Sequence, residues 1–128
     1  MNTEIKVYYE DTDASARVYY ANYLKFLERG RTDYLYNLGF THKVILEKFK
    51  FYFVVKNCKI DYKKPAYFED ILKISTKVIN ISKVKILFHQ QIIKNEELLV
   101  DSEILITPVF FNGKIAKIPN EMLEKFTT

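Results

Sequence analysis

The stretch Tyr20-Ala21-Asn22-Tyr23-Leu24-Lys25-Phe26-Leu27-Glu28-Arg29-Gly30-Arg31-Thr32-Asp33-Tyr34-Leu35-Tyr36-Asn37-Leu38-Gly39 decides the fold, because it is the one long run with a helical period. The pattern starts between Val18 and Asn22. Tyr20, Tyr23, Leu24, Leu27, Tyr34, Leu35 and Leu38 fall on one apolar stripe, and Gly39 stands where a glycine ends a helix. Two residues interrupt that stripe. Gly30 costs about 1 kcal/mol relative to alanine in a helix interior, which predicts that another backbone passes close by. Arg31 stands where leucine is expected, and a buried guanidinium needs a carboxylate, from Glu28 or from the Glu10, Asp11 and Asp13 cluster.

Working outward, Thr3 to Tyr9 reads as a strand and Thr41 to Phe49 as a short helix capped by Thr41. The period then changes from 3.6 to 2. Leu72, Ile74, Thr76 and Val78 alternate with Lys73, Ser75 and Lys77, and Val84, Ile86 and Phe88 alternate with Lys85, Leu87 and His89. With Phe51 to Tyr62 before them and Leu98 to Phe111 after them, four long strands follow one another. Asn80 to Lys83 and Asn95-Glu96 are short enough for antiparallel hairpins, while Lys63-Lys64-Pro65-Ala66 forms the remaining joint. Asn112-Gly113 signals a type I′ turn into Ile115 to Ile118, ahead of Pro119 and a C-terminal helix. The class is α+β: a strand, a long central helix, and a curved antiparallel sheet wrapped around it.

A chain of 128 residues has room for one core, so residues 1–128 read as a single domain. Ten Tyr and ten Phe beside only three Gly and three Pro favour long, uninterrupted strands. The lone Cys58 cannot form an internal disulfide, and the N-terminus lacks a basic region followed by an apolar run; both predict a cytoplasmic protein. No stretch is apolar for long enough to span a membrane. The net charge of +4 comes from basic residues spread along the whole chain, the pattern of a solvated surface. The aromatics interleave with apolar residues as core, not with basic residues as a stacking surface, which argues against nucleic acid as the partner.

Most catalytic signatures are absent. With glycine only at 30, 39 and 113 there is no P-loop and no dinucleotide fingerprint, and no G-x-S-x-G, C-x-x-C or H-E-x-x-H occurs. His42 and His89 each stand alone and read as a surface residue and a cross-strand packing residue; Cys58 reads as a small buried hydrophobe. What remains is Tyr8-Tyr9-Glu10-Asp11-Thr12-Asp13-Ala14-Ser15-Ala16-Arg17-Val18-Tyr19-Tyr20-Ala21-Asn22-Tyr23, in which three carboxylates lead into the principal helix. Taken alone, such a cluster reads as a polar loop with capping acids. A helix N-terminus nevertheless offers free N–H groups to a carbonyl oxygen that gains negative charge, and a carboxylate just upstream can attack the carbonyl carbon or deprotonate a water. That is the minimum equipment for acyl transfer.

At these residues the chain resembles the 4-hydroxybenzoyl-CoA thioesterase family of the hotdog fold, and most closely its YbgC-like acyl-CoA thioesterase branch. The family pattern Y-x-D-T-D-x-x-G-x-V-Y-x-x-x-Y followed by E-x-A-R is matched by Tyr9 to Tyr23 and then Glu28-Arg29-Gly30-Arg31. Phe53-Val54-Val55, Asp61-Tyr62, Pro65-Ala66 and Lys117-Ile118-Pro119 extend the likeness over nearly the whole chain. The resemblance implies hydrolysis of an acyl-CoA thioester to a free acid and CoA, with no metal or cofactor. Asp13 matches the catalytic carboxylate, as nucleophile or as general base. The Tyr20 backbone N–H matches the donor that polarises the thioester carbonyl, and Glu28 and Arg31 match a supporting helix pair. The family further implies a homo-oligomer, a dimer or a tetramer, with the site between subunits.

The chain departs from the pattern at Ser15-Ala16, where relatives often carry glycine, at Arg17, usually Val or Ile, and at Tyr20, often His in this branch. Arg17 thus places a charge on a pocket wall that is usually apolar. The phosphates of CoA call for basic residues at strand ends, and Ser82 and Lys83, read with Lys85 as the start of a strand, and Lys117, beside the last one, are the candidates. The altered loop also leaves open a second reading, a non-catalytic module that binds acyl-CoA or an acyl-carrier protein in membrane-lipid metabolism.

Overall fold

Helix α1 (Asn22–Asn37) packs against a five-stranded antiparallel sheet in the computed structural model, which describes residues 1–126. The strands are β1 (Asn2–Lys6), β2 (Phe51–Tyr62), β3 (Ile71–Ile81), β4 (Ile86–Lys94) and β5 (Glu97–Phe110), in the order β1-β3-β4-β5-β2. Only β3, β4 and β5 form the expected meander. The connection after Tyr62 carries no tight turn; it crosses the start of α1, and β2 pairs instead with β5, from Phe51↔Phe110 to Tyr62↔Val100. β2 therefore forms one edge of the sheet. A short helix, α2 (His42–Val44), is capped as expected by Thr41, whose hydroxyl accepts from Val44 N at 3.1 Å, and runs into a wide turn over Ile45–Phe49. Helix α3 (Asn120–Phe126) closes the described chain.

The alternating strand residues Leu72, Ile74, Ile86, Phe88, Ile92, Ile104 and Ile106 point to one side and are buried there against Tyr23, Phe26, Leu27 and Leu35 of α1. The helix face is rotated from the expected stripe. Phe26 is fully buried, whereas Tyr20 and Leu24 are 63% and 46% exposed. The reason lies at Gly30. A β-carbon there would stand 2.8 Å from Ile74 Cγ2, 2.8 Å from Thr76 Oγ1 and 2.9 Å from Gln90 Nε2, so the close approach is made by sheet side chains and not by a second backbone.

Through that gap the fully buried Gln90 donates to the Leu27 carbonyl at 2.9 Å and to Thr76 Oγ1 at 3.0 Å. Its own oxygen accepts from Arg31 Nη1 at 3.0 Å. Arg31 thus finds an amide in place of the expected carboxylate. Glu28 contributes only attraction at longer range, while its Oε1 accepts from Thr32 Oγ1 at 2.7 Å. Burial is the larger influence and lowers the affinity of the guanidinium for its proton.

Three local expectations need correction. The first strand stops at Lys6, because Tyr9–Asp11 forms a 3₁₀ turn that begins the acidic loop. The turn with two left-handed residues lies at Asn95 and Glu96, at φ 48° and 66°, between β4 and β5. At Asn112-Gly113 only Gly113 is left-handed, so the turn is not type I′, and residues 115–118 contribute a single bridge, Val109↔Ile115, instead of a strand. Among the described residues no helix is long and apolar enough to cross a membrane.

Candidate active site

The three acids of the loop do different things. Asp11 is buried, and its Oδ2 accepts from Tyr8 N at 2.9 Å. Its carbonyl receives Tyr19 N at 3.0 Å and Asn22 Nδ2 at 2.9 Å, which fixes the loop to the first residue of α1. Glu10 faces away, toward a separate hollow shared with Arg29 and Asp33. Asp13 is exposed. Its Oδ1 accepts from both Ser15 N at 2.8 Å and Ser15 Oγ at 2.6 Å. These two bonds, with the Ser15 hydroxyl first, hold the carboxyl below its ordinary range, and the nearby Arg17 adds to the effect.

The loop reverses at Ala16, which adopts φ 63° where glycine would be unstrained. It returns as residues 16–18 against 66–68. Phe68 N donates to Ala16 O at 3.0 Å, Arg17 bridges Tyr67, and Val18 N donates to Ala66 O at 2.9 Å. Val18 leads directly into the start of α1. Ala21, the residue before the helix, supplies no side-chain cap, and the first turn carries no acid. The Tyr20 N–H makes no hydrogen bond to the protein among the described residues. It therefore remains available to a ligand oxygen at the positive end of the helix.

Asp13, Arg17 and Tyr20 line one depression of about 380 Å³, whose opposite wall is the chain from Tyr62 to Pro65. Tyr62, Lys63 and Lys64 are the site residues that sequence reasoning missed. In the sequence Tyr62 reads as the end of a strand and Lys63 and Lys64 as part of a joint, and the signal that could have found them is the likeness at Asp61-Tyr62 and Pro65-Ala66. Lys63 and Lys64 are already paired, with Asp61 Oδ2 and Glu97 Oε2, each at 2.9 Å. The hydrogen bond that Lys63 donates to Asp61 holds its ammonium more firmly protonated. Burial pushes the Tyr23 and Tyr62 phenols up, so both stay neutral at physiological pH.

The other predicted residues lie elsewhere. Ser82 and Lys83 occupy the turn between β3 and β4 and do not begin a strand, because β4 starts at Ile86. Lys117 is beside them, since Ile118 N donates to Lys83 O at 2.6 Å. Tyr62 pairs with Val100 and Ile86 with Ile106, so within one chain this group sits about 20 Å further along β5 than the depression. Glu28 and Arg31 lie on α1 outside the depression. His42 is exposed, and His89 packs across strands with its Nε2 2.7 Å from Asp101 Oδ1. Cys58 is exposed on the β2 edge and not buried. Among the described residues no group of histidine, cysteine and acidic side chains has the arrangement of a metal site.

The chain is similar to known proteins both in sequence and in fold. The family profile described as the thioesterase-like superfamily matches residues 7–126. The chain belongs to that superfamily. Among its relatives, the acyl-CoA thioesterase YbgC of Haemophilus influenzae is 42% identical over 124 residues, covering 95% of this chain and 90% of the relative. A probable thioesterase from Bartonella henselae superposes with a TM-score of 0.90 at 30% identity, covering 93% of this chain and 98% of that one. A mutant 4-hydroxybenzoyl CoA thioesterase complexed with 4-hydroxybenzoyl CoA has a TM-score of 0.89 at 14% identity, over 98% and 96% of the two chains, and attests the shared fold alone. This superfamily member therefore has the hotdog architecture and its kinship with the YbgC acyl-CoA thioesterases.

Proposed function

We propose that this protein hydrolyses an acyl-CoA thioester at the Asp13 depression, with Asp13 Oδ2 as the reacting oxygen and the Tyr20 N–H as the donor to the thioester carbonyl. The activity class rests on the kinship with the curated YbgC enzymes. The residue roles rest on one observation. Both Ser15 hydrogen bonds fall on Asp13 Oδ1, so the carboxylate is oriented and ionised where it lines the same depression as the helix start.

Two courses fit this geometry. Oδ2 can attack the carbonyl carbon, expelling CoA as a thiolate and leaving an acyl anhydride that water cleaves. Alternatively it takes a proton from a water whose oxygen attacks the same carbon. In both, the carbonyl oxygen gains charge that the Tyr20 N–H stabilises, and the sum is thioester plus water giving acid and thiol. Asp13→Asn is expected to lower kcat by at least about a hundredfold on a panel of acyl-CoA substrates while leaving the melting temperature close to wild type. A mutant that retains full rate would sink the assignment.

The working unit is a pair of chains. β2 is twelve residues long, its outer edge has no partner strand among the described residues, and Val55, Cys58 and Tyr62 on its inner side stay exposed. Two copies joined antiparallel along β2 would set the Phe51 end of one beside the Tyr62 end of the other. The Lys83 and Lys117 end of one copy then approaches the Asp13 depression of the other, within reach of the phosphates on CoA or of the phosphopantetheine arm of an acyl-carrier protein. Sedimentation of wild type together with Val55→Asp tests this: a dimer or larger assembly is expected for the first and a monomer with impaired hydrolysis for the second. A wild-type monomer that is fully active would overturn it.

A further inference from the structure

The two walls of the Asp13 depression are joined by two tyrosines that cross in opposite directions. Tyr23 belongs to the first turn of α1, and its hydroxyl accepts at 2.9 Å from the buried N–H of Ala66, the residue that follows the opposite wall. Tyr62 belongs to the opposite wall, and its hydroxyl donates to the Tyr20 carbonyl at the helix start. Their rings touch, with centroids 5.6 Å apart. Tyr20 closes the group from outside, its ring 6.5 Å from that of Tyr62.

Ala66 is the point where everything meets. Its carbonyl receives the Val18 N–H, which ends the Asp13 loop, and its own N–H is held by Tyr23, which begins the helix. A buried tyrosine requires a partner for its hydroxyl, and a buried N–H requires an acceptor. One contact satisfies both. The second contact is different in character: at 3.4 Å it is long for an O–H···O bond, and it lies at the exposed mouth.

We infer that Tyr23 and Tyr62 are positioning residues for the thioesterase reaction, clasping the Lys63–Pro65 wall to the helix start so that the Tyr20 N–H and the Asp13 loop hold one geometry. The buried contact is the fixed side of the clasp, and the long one tightens when a substrate fills the space between the walls. Neither tyrosine exchanges a proton in this scheme. This inference rests on Asp13 and Tyr20 forming the reacting pair.

The test is steady-state kinetics on Tyr23→Phe and Tyr62→Phe with a short acyl-CoA, alongside Tyr34→Phe. Tyr34 is a tyrosine of the same helix, stacked on Phe126, whose ring contacts survive the change. Removal of one oxygen leaves each ring in place. Tyr23→Phe is expected to lower kcat about tenfold, and Tyr62→Phe about threefold, with KM changed less than kcat, because the reacting groups are displaced while the binding surface remains. Tyr34→Phe should keep wild-type kcat and KM.

If Tyr23→Phe and Tyr62→Phe both retain kcat within twofold, the clasp is only a stabilising contact and the inference fails, whatever happens to the melting temperature. Should Tyr23→Phe not fold, the exposed Tyr62→Phe decides alone by the same criterion. Asp13→Asn in the same series separates the two levels. An inactive Asp13→Asn beside undisturbed tyrosine variants removes the clasp but leaves the site standing; an active Asp13→Asn removes the site itself.

Discussion

Ala16 is a single residue whose backbone angle is set by the site and not by its own preference. At φ 63° its β-carbon crowds the backbone, and glycine would not. Ala16→Gly is therefore expected to raise the unfolding free energy by about 1 kcal/mol, read from the urea midpoint at constant slope. Ser15 acts on chemistry instead. Asp13 is held below its ordinary value chiefly by the Ser15 hydroxyl, so its ionised form persists to lower pH than a free carboxylate would allow. Ser15→Ala removes that bond, raises the Asp13 pKa, and should move the acid limb of the kcat/KM profile to higher pH; a limb that stays in place would count against Asp13 as the titrating group. At this scale the sequence offers three neighbouring acids, and only the resemblance to the family motif singles out Asp13 among them. The sequence is silent about which of two neighbouring acids turns inward, since Asp11 and Asp13 are separated by their backbone partners and not by residue type.

Among the elements, α1 was legible in length and in its glycine stop but not in rotation. A stripe of apolar side chains fixes a helix face only to within the width of the stripe, and Gly30 selects the face by admitting Gln90 and Thr76 where any β-carbon would collide. Gly30→Ala should cost about 2 kcal/mol, measured by thermal or urea unfolding, because three side chains must move together in a close-packed interior. Strand identity was legible from the period of 2, while strand neighbours were not. Periodicity says which face is buried and nothing about which edge a strand joins; β2 pairs with β5 at the far side of the sheet, and the chain after Tyr62 lines the depression before β3 begins. The turns show the same limit. Asn95-Glu96 takes the left-handed pair of conformations that Asn-Gly was expected to hold at 112 and 113, since the hairpin closed by Lys94 and Glu97 imposes them.

For the molecule as a whole, the unpaired edge of β2 is its most consequential surface. A twelve-residue strand with no neighbour on one side among the described residues exposes backbone donors and acceptors to any extended chain, and natural sheets seldom leave such a length uncovered. If a second copy covers it, folding becomes a bimolecular event. Mass action then makes the melting temperature a function of protein concentration, rising as the solution is made more concentrated, which scanning calorimetry across a hundredfold dilution series would reveal. A transition independent of concentration would mean that the edge is tolerated bare. With the edge covered by a copy, catalytic output would rise faster than linearly with enzyme at low concentration, so expression level itself would act as a control on thioester turnover.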